Sequence, residues 1–413
     1  MDRVISDSSL MLVLPIRVYT INGTAHVEKQ AHNGLRLWLD HFSTISLCLV
    51  ADNTTPPPVE TLPIDQLHGS SRLTIVRLPA AFTPLSFFRQ LPKITRVLRG
   101  EIDRASHLQF AIGGLWGDWA SVACFVAHRR KRRFAVWTDR VESEVTKFSV
   151  QSRSRMRSPY WRITAWLMHY YERAAIRRAT IGLFHGMDCF SAFSPISANP
   201  HLVHNIHVGP EARIDAATLA AKQARTNEVP LKIVYAGRAH PEKGVSEWIE
   251  TLAALDREGV YFSARWFGDG PALAAARDDV ARRDLSTKIE FPGNLEDRDS
   301  ILSTLRDADL FLFCHKTPES PRCLIEALIS GTPIVGFSSA YPQDLSSGNH
   351  GGVLTAHDPA MLARAVMALD RPVLSKLMAA AALDGYALVD EAVFAHRAQL
   401  IKDDARIIAA LLH

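Results

Sequence analysis

Two short segments in the second half of the chain hold the residues best suited to chemistry. One reads Tyr235-Ala236-Gly237-Arg238, continuing to Glu242-Lys243-Gly244; the other runs from Glu319-Ser320-Pro321-Arg322 through Leu324 to Glu326. A glycine directly after a strand lets the backbone turn sharply and come close to a ligand. Arg238 then offers a forked guanidinium matched to phosphate oxygens, and Lys243 adds a second cation. The N-terminus of the following helix contributes a partial positive charge at the same point. Glu326, one turn inside its own helix, places a carboxylate where both hydroxyls of a ribose could donate to it. Glu319 and Ser320 precede that helix, and Arg322 adds another phosphate contact. Taken singly, each has an ordinary alternative: a solvated loop charge, or a first-turn carboxylate offsetting the helix dipole. Taken together they can hold a nucleoside diphosphate by both ends.

Such a site needs parallel strands that end side by side, and the hydrophobic pattern supplies them. Short apolar runs at 10–18, 45–51, 73–77, 108–112 and 134–138 read as strands, with helical stretches such as 27–41 between them. The second half repeats the alternation: strands at 231–236, 261–267, 288–291, 310–314 and 334–337, with helices at 242–256, 271–283 and 297–308. Pro321 opens the next helix, where its missing N–H costs nothing. Gly331 follows the end of that helix, where a left-handed cap is wanted. This alternation predicts an α/β protein with two doubly wound, Rossmann-like parallel-sheet domains. Breakers at Asn199-Pro200, Gly209-Pro210 and Pro230 put the boundary between about 199 and 230. The expected division is 1–204, 205–385 and a C-terminal helix, 386–413, returning to the first domain.

The 413 residues suffice for two cores. A formal net charge of +4 does not imply nucleic acid, and none is expected as a partner. Five scattered cysteines without a Cys-x-x-Cys argue against a zinc site or disulfide framework and fit a reducing, cytoplasmic setting. The start, Met1-Asp2-Arg3-Val4, lacks a signal-peptide pattern, and no apolar run approaches the ~20 residues of a membrane-spanning helix.

The ordered motifs resemble those of the retaining, nucleotide-sugar-dependent glycosyltransferases of family four, also described as glycosyl transferases group 1. Tyr235–Gly244 is similar to the family's phosphate clamp, and Pro318–Pro333 to its paired-glutamate helix. Between them Phe267-Gly268-Asp269-Gly270-Pro271 and Glu290-Phe291-Pro292-Gly293-Asn294 match its intervening glycine elements. The resemblance implies the GT-B architecture, two facing Rossmann-like domains with the donor mainly on the C-terminal one and the acceptor on the N-terminal one. It makes Arg238 and Lys243 the diphosphate ligands, Glu326 the ribose ligand and Glu319 the contact to the donor sugar. It adds Gly237, Gly268, Pro292, Gly293, Ser320, Arg322 and Leu324 to the nucleotide-sugar site. Gly23, in Asn22–Glu28, is similar to the family's first glycine loop. Asp139 stands where relatives often carry a histidine, as a polar group near the acceptor hydroxyl; an N-cap or loop carboxylate is the ordinary alternative. One departure stands out: six residues separate Glu319 from Glu326 where seven are usual, and Ser320-Pro321-Arg322 replaces a glycine-rich turn.

Two Asp-x-Asp pairs, Asp297/Asp299 and Asp307/Asp309, read as capping or solvated charge, so no metal and no cofactor beyond the donor is expected. Gly113–Gly117 lacks dinucleotide spacing and reads as close helix packing or a cleft lining. Between Val126 and Arg178 the sequence holds fourteen Lys/Arg against four Asp/Glu, including Arg153, Arg155 and Arg157, followed by Tyr160, Trp161 and Trp166. That mixture suits peripheral contact with an anionic membrane surface, or simply a solvated pair of helices. The reading is thus a retaining hexosyltransferase that moves sugar from a nucleoside-diphosphate sugar to a glycan or lipid-linked acceptor, in surface or exopolysaccharide biosynthesis. The alternatives are a non-catalytic nucleotide-sugar- or glycan-binding protein on the same scaffold, and an epimerase or phosphorylase.

Overall fold

The computed structural model describes residues 8–52, 57, 60–151, 158–226, 228–295, 297–317 and 319–411. Arg153, Arg155, Arg157, Pro318 and the Met1–Val4 start lie outside the described residues. The chain divides into two compact units, Met1–His207 with Asp390–His413, and Val208–Val389.

Unit 1 is built on β1 (Ser9–Ile21), β2 (Thr24–Glu28), β3 (Thr44–Asp52), β4 (Thr61–Pro63), β5 (Leu73–Leu78), β6 (His107–Ala111), β7 (Ala135–Thr138), β8 (Ile181–His185) and β9 (Pro200–Val203). Seven of these run parallel in the order β5-β3-β1-β6-β7-β8-β9. The central strand explains why. Along β1, Leu10 and Leu12 enter one core while Met11 and Val13 enter the other. A strand buried on both faces needs helices above and below, which is the condition for a parallel sheet.

The end of β1 continues beyond its parallel partners and folds back as an antiparallel hairpin with β2. Asn22 (φ 50°) and Gly23 (φ 82°) form the two-residue turn. Asn-Gly is the pair that tolerates positive φ at both central positions. The helix expected over 27–41 accordingly begins only at Lys29.

The C-terminal helix Asp390–Leu411 belongs to this unit. Phe394, Ala398 and Ile401 join its core, Asn33 donates to Asp390 at 3.0 Å, and Arg133 pairs with buried Asp404.

Unit 2 carries β10 (Leu231–Ala236), β11 (Phe262–Phe267), β12 (Ile289–Gly293), β13 (Leu310–Phe313), β14 (Ile334–Phe337) and β15 (Gly352–Thr355) in one parallel sheet. Its order is β12-β11-β10-β13-β14-β15. The chain winds outward from β10 to β12, then crosses back to lay β13 on β10's other side. Neighbouring loops at the carboxyl ends of β10 and β13 therefore diverge, leaving the crevice where doubly wound sheets take ligands. No described helix is long and apolar enough to cross a membrane.

Candidate functional site

The loops that follow β10, β11 and β12 are joined by backbone bonds. Gly237 N–H donates to Phe267 O (2.8 Å), Ala239 N–H to Asp269 O (2.9 Å), and Gly268 N–H to Gly293 O (2.9 Å). Such close approach leaves no room for side chains. A Cβ on Gly268 (φ +135°) would lie 2.1 Å from Gly237 O, and one on Gly270 (φ +156°) 2.4 Å from Ala239 O. Gly237 is a glycine for another reason. Its φ is not positive; a Cβ there would meet the Tyr235 hydroxyl at 2.8 Å, so it is the phenol beneath that demands glycine.

Tyr235 is wholly buried and its hydroxyl lies 2.8 Å from His315 Nε2, across the β10/β13 boundary. Burial and then the charge of Lys243 hold the His315 imidazole well below its usual pKa, and burial pushes the Tyr235 phenol up. The pair is therefore neutral, a hydrogen-bonded floor under the switch point.

Above it sit the charged residues. Arg238 follows β10 with its side chain 68% exposed, 3.9 Å from Glu242. Glu242 is itself buried and faces His240 Nδ1 at 3.3 Å. Lys243 does not open the next helix as its sequence position suggests. It ends a short 3-10 turn, Pro241–Lys243, and Gly244 (φ 71°) separates it from the helix Val245–Arg257. A Cβ on Gly244 would strike Cys314 O at 2.0 Å, so glycine lets this turn press against the end of β13. Lys243 is thereby aimed across the switch point, where its Nζ meets Glu319 Oε1 at 2.5 Å.

Glu319 and buried Ser320 lead to the helix Arg322–Ile329, whose N-cap is Pro321. Leu324 is fully buried, half-buried Arg322 lies at the first helical position, and Glu326 lies one turn further in. The helix ends in a Schellman pattern: Gly331 N–H donates to Leu328 O and Thr332 N–H to Ala327 O, both at 2.9 Å, with Gly331 at φ 60°. Glu326 Oε1 is 2.5 Å from Nη1 of Arg298, the first residue of the helix Arg298–Asp307. The sequence pattern does not single out Arg298, nor Tyr235, His315 or Glu242, as part of the site. A basic residue in a helix's first turn opposes the dipole, and that was the available signal.

Unit 2 thus gathers Gly237, Arg238, Lys243, Gly268, Pro292, Gly293, Glu319, Ser320, Arg322, Leu324 and Glu326 on its own elements around the carboxyl-end edge of one sheet. Gly23 and Asp139 lie in unit 1, past the ends of β1 and β7. Asp139 is half-buried, and Gly23 occupies the hairpin turn.

The Asp-x-Asp pairs divide. Asp297 caps its helix by accepting from Ser300 N–H at 3.0 Å. Asp309 is not a solvated charge: it is fully buried between Arg225 (2.9 Å) and Arg371 (3.0 Å) and accepts from Lys232 N–H. Gly113–Gly117 turns after β6 into the helix Trp119–Arg129, capped by buried Asp118.

Comparison with known proteins follows the same division of the chain. The family described as Glycosyl transferases group 1 matches residues 230–371, which contain the whole second sheet and the site residues at its edge. Solved structures match the whole chain. Sucrose-phosphate synthase from Thermosynechococcus elongatus superposes with a TM-score of 0.67 at 16% identity, covering 98% of this chain and 100% of that one. Anabaena HepE, solved with UDP and glucose, gives 0.61 at 15% identity, covering 98% of each. At these identities the likeness shows the fold, which is the two-domain, Rossmann-like GT-B fold.

Two relatives share sequence over shorter stretches. A 2-deoxystreptamine N-acetyl-D-glucosaminyltransferase of Niallia circulans is 25% identical over 169 residues, 41% of this chain and 40% of that protein. A 2-deoxystreptamine glucosyltransferase of Streptomyces kanamyceticus is 30% identical over 105 residues, 25% of this chain and 27% of that protein. The match spans less than half the length of either relative.

Proposed function

We propose that the protein is a glycosyltransferase of family four that moves a hexose from a nucleoside-diphosphate sugar to a glycan or lipid-linked acceptor, with retention of anomeric configuration. The observation that carries this reading is the convergence of Arg238, Lys243, Glu319 and Glu326 on the switch point between β10 and β13. Arg238 and Lys243 would neutralise the charge that develops on the leaving diphosphate, doing with fixed cations what a metal does elsewhere. Glu326 would accept from the ribose hydroxyls. Glu319, oriented by Lys243, would face the donor sugar, with the glycine loops at Gly268 and Gly293 lying against the nucleotide. The matching family and the two sugar-transferring relatives support this assignment, and the UDP held by the Anabaena structure supports a uridine nucleotide as first probe. Residues 1–204 would take the acceptor, with Gly23 and Asp139 at its carboxyl-end loops, in cytoplasmic assembly of a surface polysaccharide.

The test is direct. Purified protein incubated with a panel of UDP-sugars should release UDP and yield a glycosylated acceptor. R238A and K243A should each weaken UDP binding at least tenfold without loss of fold. Unchanged affinity in both variants overturns the clamp, and binding without turnover on any donor favours the non-catalytic alternative.

We further infer peripheral contact with an anionic bilayer. The helix Ser158–Ile176 is buried on one side, yet it exposes Tyr160, Ile163, Trp166 and Tyr170 by more than half on the other, beside exposed Arg162 and Arg177. Aromatics among arginines suit a lipid interface. Flotation with phosphatidylglycerol vesicles, lost in W166E/Y170E, is expected. Protein left at the bottom of the gradient overturns the contact.

A further inference from the structure

Arg298 is placed against the preference of its own helix. It occupies the first turn of Arg298–Asp307, where the dipole favours the acidic neighbours Asp297, the N-cap, and Asp299 and disfavours a cation. Helix stability therefore does not account for an arginine here. Among the described residues its side chain pairs with Glu326, at 2.5 Å, on a helix whose residues 324–329 are all buried. The Glu326 side chain keeps 11% of its surface and that of Arg298 26%. Left alone, a carboxylate so enclosed would carry a large desolvation cost. With Arg298 on Oε1, it is paired and fixed in orientation before any ligand arrives. The other oxygen, Oε2, remains as an acceptor.

We propose that Arg298 is a positioning residue for nucleotide recognition: by clamping Oε1 of Glu326, it sets the carboxylate that grips the ribose diol. The proposal rests on Glu326 being the ribose ligand. It predicts an effect confined to ligands that carry the diol. A salt bridge that merely joined two helices would alter affinity for all nucleotides alike, or for none.

The experiment measures binding of UDP and of 2′,3′-dideoxy-UDP by calorimetry to the full-length wild type, R298A, R298K, E326Q and R298A/E326Q. Thermal melts confirm that each variant is folded. R298A is expected to lose about five- to tenfold in UDP affinity, the scale of one hydrogen bond to a charged group, with dideoxy-UDP affinity unchanged. R298K should recover part of the loss, and the double variant should bind UDP no worse than E326Q alone. If E326Q lowers UDP affinity but R298A leaves the ratio of UDP to dideoxy-UDP affinity untouched, the role of Arg298 is overturned. It is also overturned if the two losses simply add. If the wild type fails to bind UDP, or E326Q binds it normally, the ribose assignment beneath the proposal falls, and the proposal with it. Should R298A not fold, R298K and R298Q carry the same comparison.

Discussion

Lys243 and Glu319 are 76 positions apart in the sequence, yet their side chains meet at 2.5 Å, with 9% and 12% of their surfaces exposed. The pair spans the switch point, tying the turn after β10 to the segment after β13. It couples the cation expected on the diphosphate to the carboxylate expected on the sugar. Replacing Lys243 with Ala strands an enclosed carboxylate, at a cost of about 3 kcal/mol. The double variant K243A/E319A should recover much of that loss. Urea denaturation of the two single variants and the double gives the coupling. Additive losses would mean that the two groups do not pair in solution.

Asp309 makes a separate case, because its role is structural. It stands in the core of unit 2 with two arginines and a backbone N–H on its two oxygens. Asp309→Ala removes the buried carboxylate from between the two arginines, leaving Arg225 only Asp307 and Arg371 only Val229 O, and about 3 kcal/mol of stability should be lost. Chemical denaturation reads this directly. A loss under 1 kcal/mol would show that Asp307 and Val229 O suffice to hold the arginines.

How far the molecule is legible in its sequence depends on the range of the interaction. Features set by neighbours in the chain were readable: the strand runs, the αL glycine at Gly331, the cap at Asp297. The Asn22-Gly23 hairpin carries its own turn signal too, but the pattern from 27 onward reads as helix and obscures the short β2. The pattern assigns Gly237 to backbone freedom, whereas its cause is the Tyr235 phenol, because no spacing rule reports what packs beneath a loop. Arg298 lies 28 positions from Glu326 and reaches it only because the chain crosses from β12 back to β13. That fact belongs to topology rather than to any local pattern. Asp309 misled in the same way: beside Asp307 it resembled surface charge, and only the sheet order buries it.

Gly268 tests the fit of the loops. At φ +135°, with a Cβ only 2.1 Å from Gly237 O, alanine forces the loops after β10 and β11 apart. The expected cost is at least ~2 kcal/mol of stability, together with weakened UDP binding as Arg238 moves with its loop. A Gly259→Ala variant is the control: that glycine also has positive φ (+75°), but a Cβ there meets nothing within 4 Å. It should lose stability without losing nucleotide affinity. Equal affinity losses in both would detach the Gly268 effect from the site.

Lys222 gives the pH prediction. It is 2% exposed, and its Nζ donates to Thr332 Oγ1 at 2.5 Å. Burial lowers its pKa from 10.5 to about 7, against partial support from Asp309. Between those two values the unfolded chain holds a proton that the native protein has released. Stability should therefore rise with pH across that window, by up to about 1.4 kcal/mol per pH unit. Below pH 7 both states are protonated and the buried ammonium exerts its full cost; above 10.5 neither is, and the cost is gone. Lys222→Met removes the titrating group, while Thr332 keeps its second bond, to Leu305 O at 2.5 Å. The variant should be more stable than the wild type at pH 6 and lose that advantage progressively towards pH 10. Urea melts at pH 6, 8 and 9.5 decide it: parallel curves for the two proteins would mean that Lys222 stays charged in the fold, held by Asp309.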